Sequence, residues 1–289
     1  MSRLFVVATP IGNLSDASPR MVDTLRSAGL IAAEDTRVTG NLLRHFGIST
    51  PLTSLHRHNE SSKAGRIVER MLSEELDVAL VTDAGTPAIS DPGHLLVRAA
   101  NEAGIEVLAI AGPTAMAAAI SVSGFDAREF AFYGFLPRER GDLRKRLKDI
   151  ARGPRVAVLH ESPHRIMDLM DVAADTLPGC RACVCCDLTK LHEKTLRGDA
   201  AEVLEALRAN PKAAKGEYCV VLDLHEVTMP EEAVEAPELS LEARLLDRLL
   251  RGETMQDAVD ALTAGGGVRR NDAKRAAIAL RRFLETGEV

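Results

Sequence analysis

Along residues 1–125, short apolar runs alternate with helix-length stretches, and few folds accept that alternation. Leu4 to Ala8, Leu30 to Ala33, Leu52 to Leu55, Val78 to Val81 and Val107 to Ile110 read as strands. Between them the pattern predicts helices: one capped by Ser18 with Pro19 in its first turn, and others near Thr39 to Phe46, Ser61 to Glu74 and His94 to Ala103. A fifth follows Pro113 and ends near Gly124. The repetition predicts an α/β fold with a mainly parallel sheet. A second α/β unit is expected from Phe130 onward. Its strands fall at Phe130 to Phe135, Arg155 to Leu159, Ala182 to Cys186 and Tyr218 to Leu222. Its helices fall near Asp142 to Ala151, Pro163 to Thr176 and Ala200 to Ala209. At 289 residues the chain exceeds one comfortable core. The expected domains are two α/β units over 1–125 and 126–225, an acidic linker over 226–239 and a small helical domain over 240–289. The linker expectation rests on Glu226 to Glu238, which hold five Glu, two Pro and no Lys or Arg.

Loops rich in Gly and Pro leave three of the first unit's strands. Thr82-Asp83-Ala84-Gly85-Thr86-Pro87-Ala88-Ile89-Ser90-Asp91-Pro92-Gly93 is the longest. Thr9-Pro10-Ile11-Gly12-Asn13-Leu14 and Ala111-Gly112-Pro113-Thr114-Ala115 are the others. In a parallel sheet all three meet at the carboxyl edge, where ligands bind. Such loops offer free backbone N–H and C=O groups and predict a pocket that wraps a small molecule. Neither a Gly-Lys-Ser/Thr phosphate loop nor a Gly-x-Gly-x-x-Gly occurs, so the common phosphate cradles are not supported. Glu34-Asp35-Thr36-Arg37 ends another strand on that edge and reads either as a surface ion-pair cluster or as part of the site.

His160-Glu161-Ser162-Pro163-His164 matches the letters of a helical zinc motif. Its physics differs. His160 ends a strand, Ser162 reads as a helix cap and Pro163 as the first helical position, so the two His do not share a helix face. No metal is expected. The cysteines, Cys180, Cys183, Cys185, Cys186 and Cys219, lack a second pair for a tetrahedral site and are expected as idle thiols of a reducing compartment. Val107 to Phe125 carries no charge, but Gly112-Pro113 splits it, so it predicts a strand, a turn and a packed helix. Leu4 to Ala8 is too short for a secretion signal. A cytoplasmic protein without a membrane anchor is expected.

The net charge of −6 gives no overall attraction to nucleic acid. Two local segments run the other way. Arg138 to Arg155 holds eight Lys or Arg against three acids, and Gly265 to Leu284 holds six against one. Solvated helix faces explain such runs, but two of them in an acidic chain favour a polyanion partner.

These motifs occur with Gly134-Phe135-Leu136-Pro137, Glu161-Ser162-Pro163-His164-Arg165, Thr189-Lys190-Leu191-His192-Glu193 and Lys215-Gly216-Glu217 in one order. Over Leu4 to Leu222 the chain resembles the tetrapyrrole methylase superfamily of S-adenosylmethionine (SAM) enzymes, and within it the branch acting on small-subunit ribosomal RNA. The resemblance implies methyl transfer from SAM to the ribose 2′-oxygen of a cytidine in the decoding region of 16S rRNA. It also implies SAM folded between two α/β domains, a homodimer, and a substrate met within the small ribosomal subunit.

Carried over by position, the resemblance implies SAM contacts at Thr9, Pro10, Asp83, Gly85, Thr86, Gly112, Thr114 and Ala115, with Glu161 and Gly216 from the second domain. A ribose hydroxyl is a weak acid, so a base or a water path must take its proton. Glu34, Asp35 and Glu161 are the candidates, with Arg37 as an anion contact. Arg138, Arg140, Arg144, Lys145 and Lys148 are the candidate RNA contacts. Two departures from the family pattern stand out: Ala111 replaces a usual Pro, and the stretch after Ser240 matches poorly. The rival reading is a small-molecule methyltransferase acting on a tetrapyrrole. A non-catalytic nucleotide-binding module accounts for neither the loops nor the acid cluster.

Overall fold

The five apolar runs of the first half form one sheet: β1 (Arg3–Val7), β2 (Leu30–Ala33), β3 (Leu52–Ser54), β4 (Val78–Val81) and β5 (Glu106–Ile110). Their order is β3-β2-β4-β1-β5, and every pair is parallel. The connections are α1 (Pro19–Ser27), α2 (Thr36–His45), α3 (Glu60–Ser73), α4 (His94–Glu102) and α5 (Ala115–Ser123). Side chains on a strand alternate between faces. Leu30 and Ala32 of β2 therefore enter one core with Leu4, Val78 and Leu80, while Ile31 and Ala33 enter another with Phe5, Val7 and Val81. Burial on both faces explains the continuous apolar runs. Ser18 caps α1 as expected, accepting from the Met21 N–H at 3.0 Å. The computed structural model describes residues 2–211, 213–228, 239–264 and 268–286.

The second sheet comprises β6 (Phe130–Gly134), β7 (Val156–Glu161), β8 (Arg181–Cys186), β9 (Lys194–Asp199) and β10 (Tyr218–Asp223), in the order β6-β7-β10-β8-β9. Across both sheets five strand pairs are parallel and three antiparallel. The antiparallel ones all lie in the second sheet, where β6–β7 alone is parallel. One of these antiparallel pairs, β8–β9, has a simple cause. β8 and β9 are joined by a short loop, too short for the crossover that parallel strands require. β9 is an edge strand with no fully buried side chain, so it lacks the apolar signal that marks its neighbours.

The helices α6 (Arg140–Ala151), α7 (Ile166–Thr176) and α8 (Ala200–Arg208) cover one face of this sheet through Leu147, Leu169 and Val203. α7 starts later than the sequence suggests. Residues 163–165 form a turn, and the Ser162 carbonyl, not its side chain, accepts from the N–H groups of Arg165 and Ile166. The other face packs against the first half, with Ile11 and fully buried Ala119 of α5 joining Val158, Cys185 and Val221. Both sheets thus belong to one compact unit, Met1–Met229. The five cysteines are free thiols. Burial pushes the thiols of Cys180 and Cys219 up to about 12, so they stay protonated and inert at neutral pH.

The other unit, Pro230–Val289, contains α9 (Leu241–Leu250), α10 (Met255–Ala264) and α11 (Arg270–Thr286) around Leu245, Val259, Leu262 and Leu280. The expected acidic linker falls largely outside the described residues. Among the described residues no helix is long and apolar enough to cross a membrane.

Candidate active site

The parallel sheet delivers its loops to one edge, and hydrogen bonds fix them there. Thr9 and Gly85 exchange backbone bonds, the Thr9 N–H donating to the Gly85 carbonyl at 2.9 Å and the reverse at 3.0 Å. The far end of the long loop is held by buried Glu60, which accepts from the N–H groups of Gly93 and Leu95 at 2.8 Å each. A carboxylate there also complements the positive end of α4. Gly93 sits at φ 134° with its Cα against Leu80, a place only glycine fills without strain. Ala88 takes φ 64°, so this loop is held in a shape its sequence does not favour.

A cavity of about 380 Å³ opens beside these loops. Gly85, Thr86, Thr114, Ala115, Glu161 and Gly216 line it, gathering six of the expected SAM contacts. Its size falls in the ~300–1,000 Å³ range of clefts that enclose small ligands. Ile11, Met116 and Leu188 give it apolar walls. Thr114 and Ala115 begin α5, whose first N–H groups have no partner within the helix. Gly216, at φ 93°, lies so close to Asp187 that a Cβ would stand 2.6 Å from Oδ2.

Glu161 is 3% exposed. Its Oε1 accepts from the Ser162 N–H at 2.6 Å, but Oε2 has no hydrogen bond. Arg165 stands 3.3 Å from Oε2, yet the same guanidinium nitrogen donates to the carbonyls of Leu136 and Pro137 at 3.0 and 2.7 Å. A buried carboxylate oxygen left open at a cavity wall is costly unless a ligand donates to it. His160 shows the same feature: its Nε2 is buried without a partner, and burial lowers its pKa, so the ring is neutral at physiological pH. His164 lies in the turn after β7, off any helix face shared with His160.

The acid cluster after β2 is built differently. Asp35 caps α2 through the Arg37 N–H at 2.8 Å and pairs with the exposed Arg37 guanidinium at 2.6 Å. Those bonds hold its carboxyl far below the usual carboxylate range, which makes it a poor base. Glu34 accepts from the Thr82 hydroxyl. Asp83 accepts from the Asp35 N–H at 3.0 Å, and partial burial raises its pKa, helped by the nearby Glu34 and Asp35. Asp91 is raised also, first by burial and then by Glu34.

Thr9, Pro10 and Asp83 do not reach the large cavity. They line a second one of about 240 Å³ with Val38, Thr39 and Leu42. Gly112 lines neither; a Cβ there would stand 3.0 Å from that of Ala8, so this glycine serves close packing against the residue that follows β1. Glu34, Asp35 and Arg37 line neither. Of the basic residues around α6, Arg140 pairs with Asp168 and Asp171, and Arg144 with Asp175 at 2.6 Å, all acids of α7. Arg138 and Lys145 are exposed. Phe132, Phe135, His160 and Asp91 line the large cavity without having been singled out as ligand contacts. Asp91 and Phe135 fall within the Thr82–Gly93 and Gly134–Pro137 motifs, and His160 within the His-Glu-Ser-Pro-His run.

The family model for tetrapyrrole (corrin/porphyrin) methylases matches residues 3–204. The chain belongs to this family. It is similar to the Ribosomal RNA small subunit methyltransferase I of Xylella fastidiosa, with 47% identity over 76% of this chain and 80% of that protein. It is similar also to the protein of that name from Pseudomonas aeruginosa, with 40% identity over 93% and 94%. The 7% left unmatched there is shorter than the stretch after Ser240, so part of the C-terminal unit shares the similarity. Among solved structures, the methyltransferase CobJ aligns with TM-score 0.57 at 19% identity, over 77% of this chain and 94% of that one. Uroporphyrin-III C-methyltransferase of Thermus thermophilus, solved with S-adenosylhomocysteine, aligns with TM-score 0.53 at 16% identity, over 76% and 97%.

Proposed function

We propose that this chain transfers a methyl group from SAM to 16S rRNA of the small ribosomal subunit, at the ribose 2′-oxygen of a decoding-region cytidine. The name shared by relatives that match at 40–47% identity over most of their length supports the substrate class. The open Oε2 of buried Glu161 in the large cavity carries the assignment of the donor site. The residues present fit SAM. Glu161 accepts from the donor's N–H or hydroxyl groups. The free N–H groups opening α5 suit its carboxylate. Ile11, Met116 and Leu188 enclose its apolar parts, and Gly85, Thr86, Thr114, Ala115 and Gly216 allow close backbone approach.

When bound, SAM supplies a methyl group on a sulfonium, whose departure leaves a neutral thioether. The chain's task is then to align the acceptor oxygen with that carbon at near-attack distance and to exclude water. Thr9, Pro10 and Asp83 frame the neighbouring cavity, coupled to the donor site by the Thr9–Gly85 bridge. The protein acts as a homodimer in the cytoplasm. Mass spectrometry of 16S rRNA from cells with and without the gene tests the reading: loss of one cytidine ribose methylation is expected. Intact methylation without the gene, or transfer by the purified protein to a porphyrin-like acceptor instead, would overturn it.

A further inference from the structure

The mouth of the large cavity carries residues that donor binding leaves unused. Phe135, immediately after β6, is 61% exposed and lines the wall, its ring 5.9 Å from that of His160. Ile89 lines the same cavity with half its surface in solvent. The long loop after β4 meets the end of β6 here: a Cβ on Gly134 would stand 3.6 Å from the Ser90 hydroxyl. Arg57, from the turn after β3, donates to the Ser90 carbonyl at 3.2 Å while remaining exposed. Asp91 follows Ser90 and lines the cavity. An aromatic ring and a carboxylate thus share one cavity, and the Arg57 guanidinium is bonded to the lining loop one residue before Asp91. Deeper inside, Glu161 offers a buried oxygen that accepts no hydrogen bond, an independent sign that the cavity is built for a ligand.

We propose that Phe135, Arg57 and Asp91 form the subsite that receives the acceptor nucleotide, with Phe135 stacking on its base, Arg57 holding an adjacent phosphate and Asp91 taking the ribose hydroxyl proton. This rests on the methyl-transfer reading above. RNA is read by splaying out unpaired bases and stacking them on aromatic or guanidinium planes, and an exposed ring at a cavity mouth meets that need. Arg supplies a fork that matches phosphate oxygens. Asp91 is also a better base than Asp35. Glu34 at the end of β2, Thr82 and Asp83 at the end of β4, and Arg57 after β3 face it; burial and Glu34 keep its proton affinity above that of an ordinary carboxyl. Asp35, by contrast, is spent in its cap and ion pair. In the step itself the hydroxyl O–H bond breaks toward the Asp91 carboxylate. The oxygen's electron pair forms the new C–O bond to the methyl carbon, and the pair of the breaking C–S bond stays on the donor sulfur.

The test uses the full chain, SAM, and small ribosomal subunits from a strain lacking the gene. Asp91→Asn should lower kcat by about 100-fold or more with SAM and RNA affinities unchanged. Phe135→Ala should weaken RNA binding about tenfold or more, and Phe135→Leu less, with SAM affinity by calorimetry unaltered. Arg57→Gln should weaken RNA binding and lower its salt slope by about one. Wild-type turnover by Asp91→Asn, or loss of SAM affinity rather than RNA affinity in Phe135→Ala, would overturn the subsite. Because Phe135 and Arg57 are exposed, their RNA affinities decide the matter even if Asp91→Asn fails to fold. If the unaltered protein does not methylate the subunits, the methyl-transfer reading fails. If it does and all variants match it, only the subsite fails.

Discussion

The turn after β2 and the turn after β7 have the same ingredients, an acid at the strand end and an arginine a few residues on, yet they leave opposite products. In the first, Asp35 and Arg37 satisfy each other in solvent, and Asp35 also caps α2. In the second, Arg165 is drawn off by two backbone carbonyls, and Glu161 keeps an oxygen with no hydrogen bond inside a cavity. Charged residues at a sheet's carboxyl edge are therefore not equivalent candidates. What distinguishes them is whether the fold has already used their bonding capacity. Burial decides the matter, because a solvated acid finds partners and a buried one waits for them.

The sharpest test of that contrast is Glu161→Gln. Removing the charge while keeping the shape should weaken SAM binding by about 10–100-fold in calorimetry, the range for a hydrogen bond to a charged group. Unchanged affinity would erase the distinction between the two turns. A smaller effect is expected on α6, where the same logic applies to cations. Lys145→Glu should weaken RNA binding, with the loss shrinking as salt rises. Arg144→Glu should instead lower the melting temperature, since it sets two acids against each other at Asp175. A larger loss of RNA affinity from Arg144→Glu than from Lys145→Glu would show that the α7 pairing yields to RNA.

The third test concerns pH. Asp83 has a folded-state pKa above its unfolded value, so its ionised form disfavours the fold, and stability falls as pH rises through the window between the two. Asp83→Asn can still accept from the Asp35 N–H. It should melt slightly above wild type at neutral pH, with the gap closing on acidification below the carboxyl range. A gap that widens in acid would reverse the sign assigned to Asp83. The smallest effect belongs to Asp35→Asn. Asn still caps a helix, so methyl transfer and SAM affinity should stay near wild type in a steady-state assay. Loss of turnover there would return Asp35 to the list of bases.

Much of the first sheet was legible because its strands are buried on both faces and its loops carry Gly and Pro where chain direction changes. β9 was not, since an edge strand such as Lys194–Asp199 needs no apolar alternation to pair on one side. Six expected SAM contacts do meet at one cavity, whereas Thr9, Pro10 and Asp83 share a different one. Sequence shows which loops reach an edge, but the depth to which each folds back depends on bonds such as that between Thr9 and Gly85. Phe135 and Asp91 were hidden for another reason: an exposed Phe and a loop Asp look ordinary until Arg57 and Ser90 bring their neighbours together.

Ala119 offers a last consequence. This small side chain of α5 belongs by sequence to the first half, but it is fully buried in the core beneath the second sheet. A chain cut after Phe125 would strip that sheet of its cover on one side and leave α5 with an apolar flank in water. Neither fragment would be a self-sufficient body. The two sheets should therefore melt in a single calorimetric transition, and the halves, expressed separately, should aggregate unless they are made together.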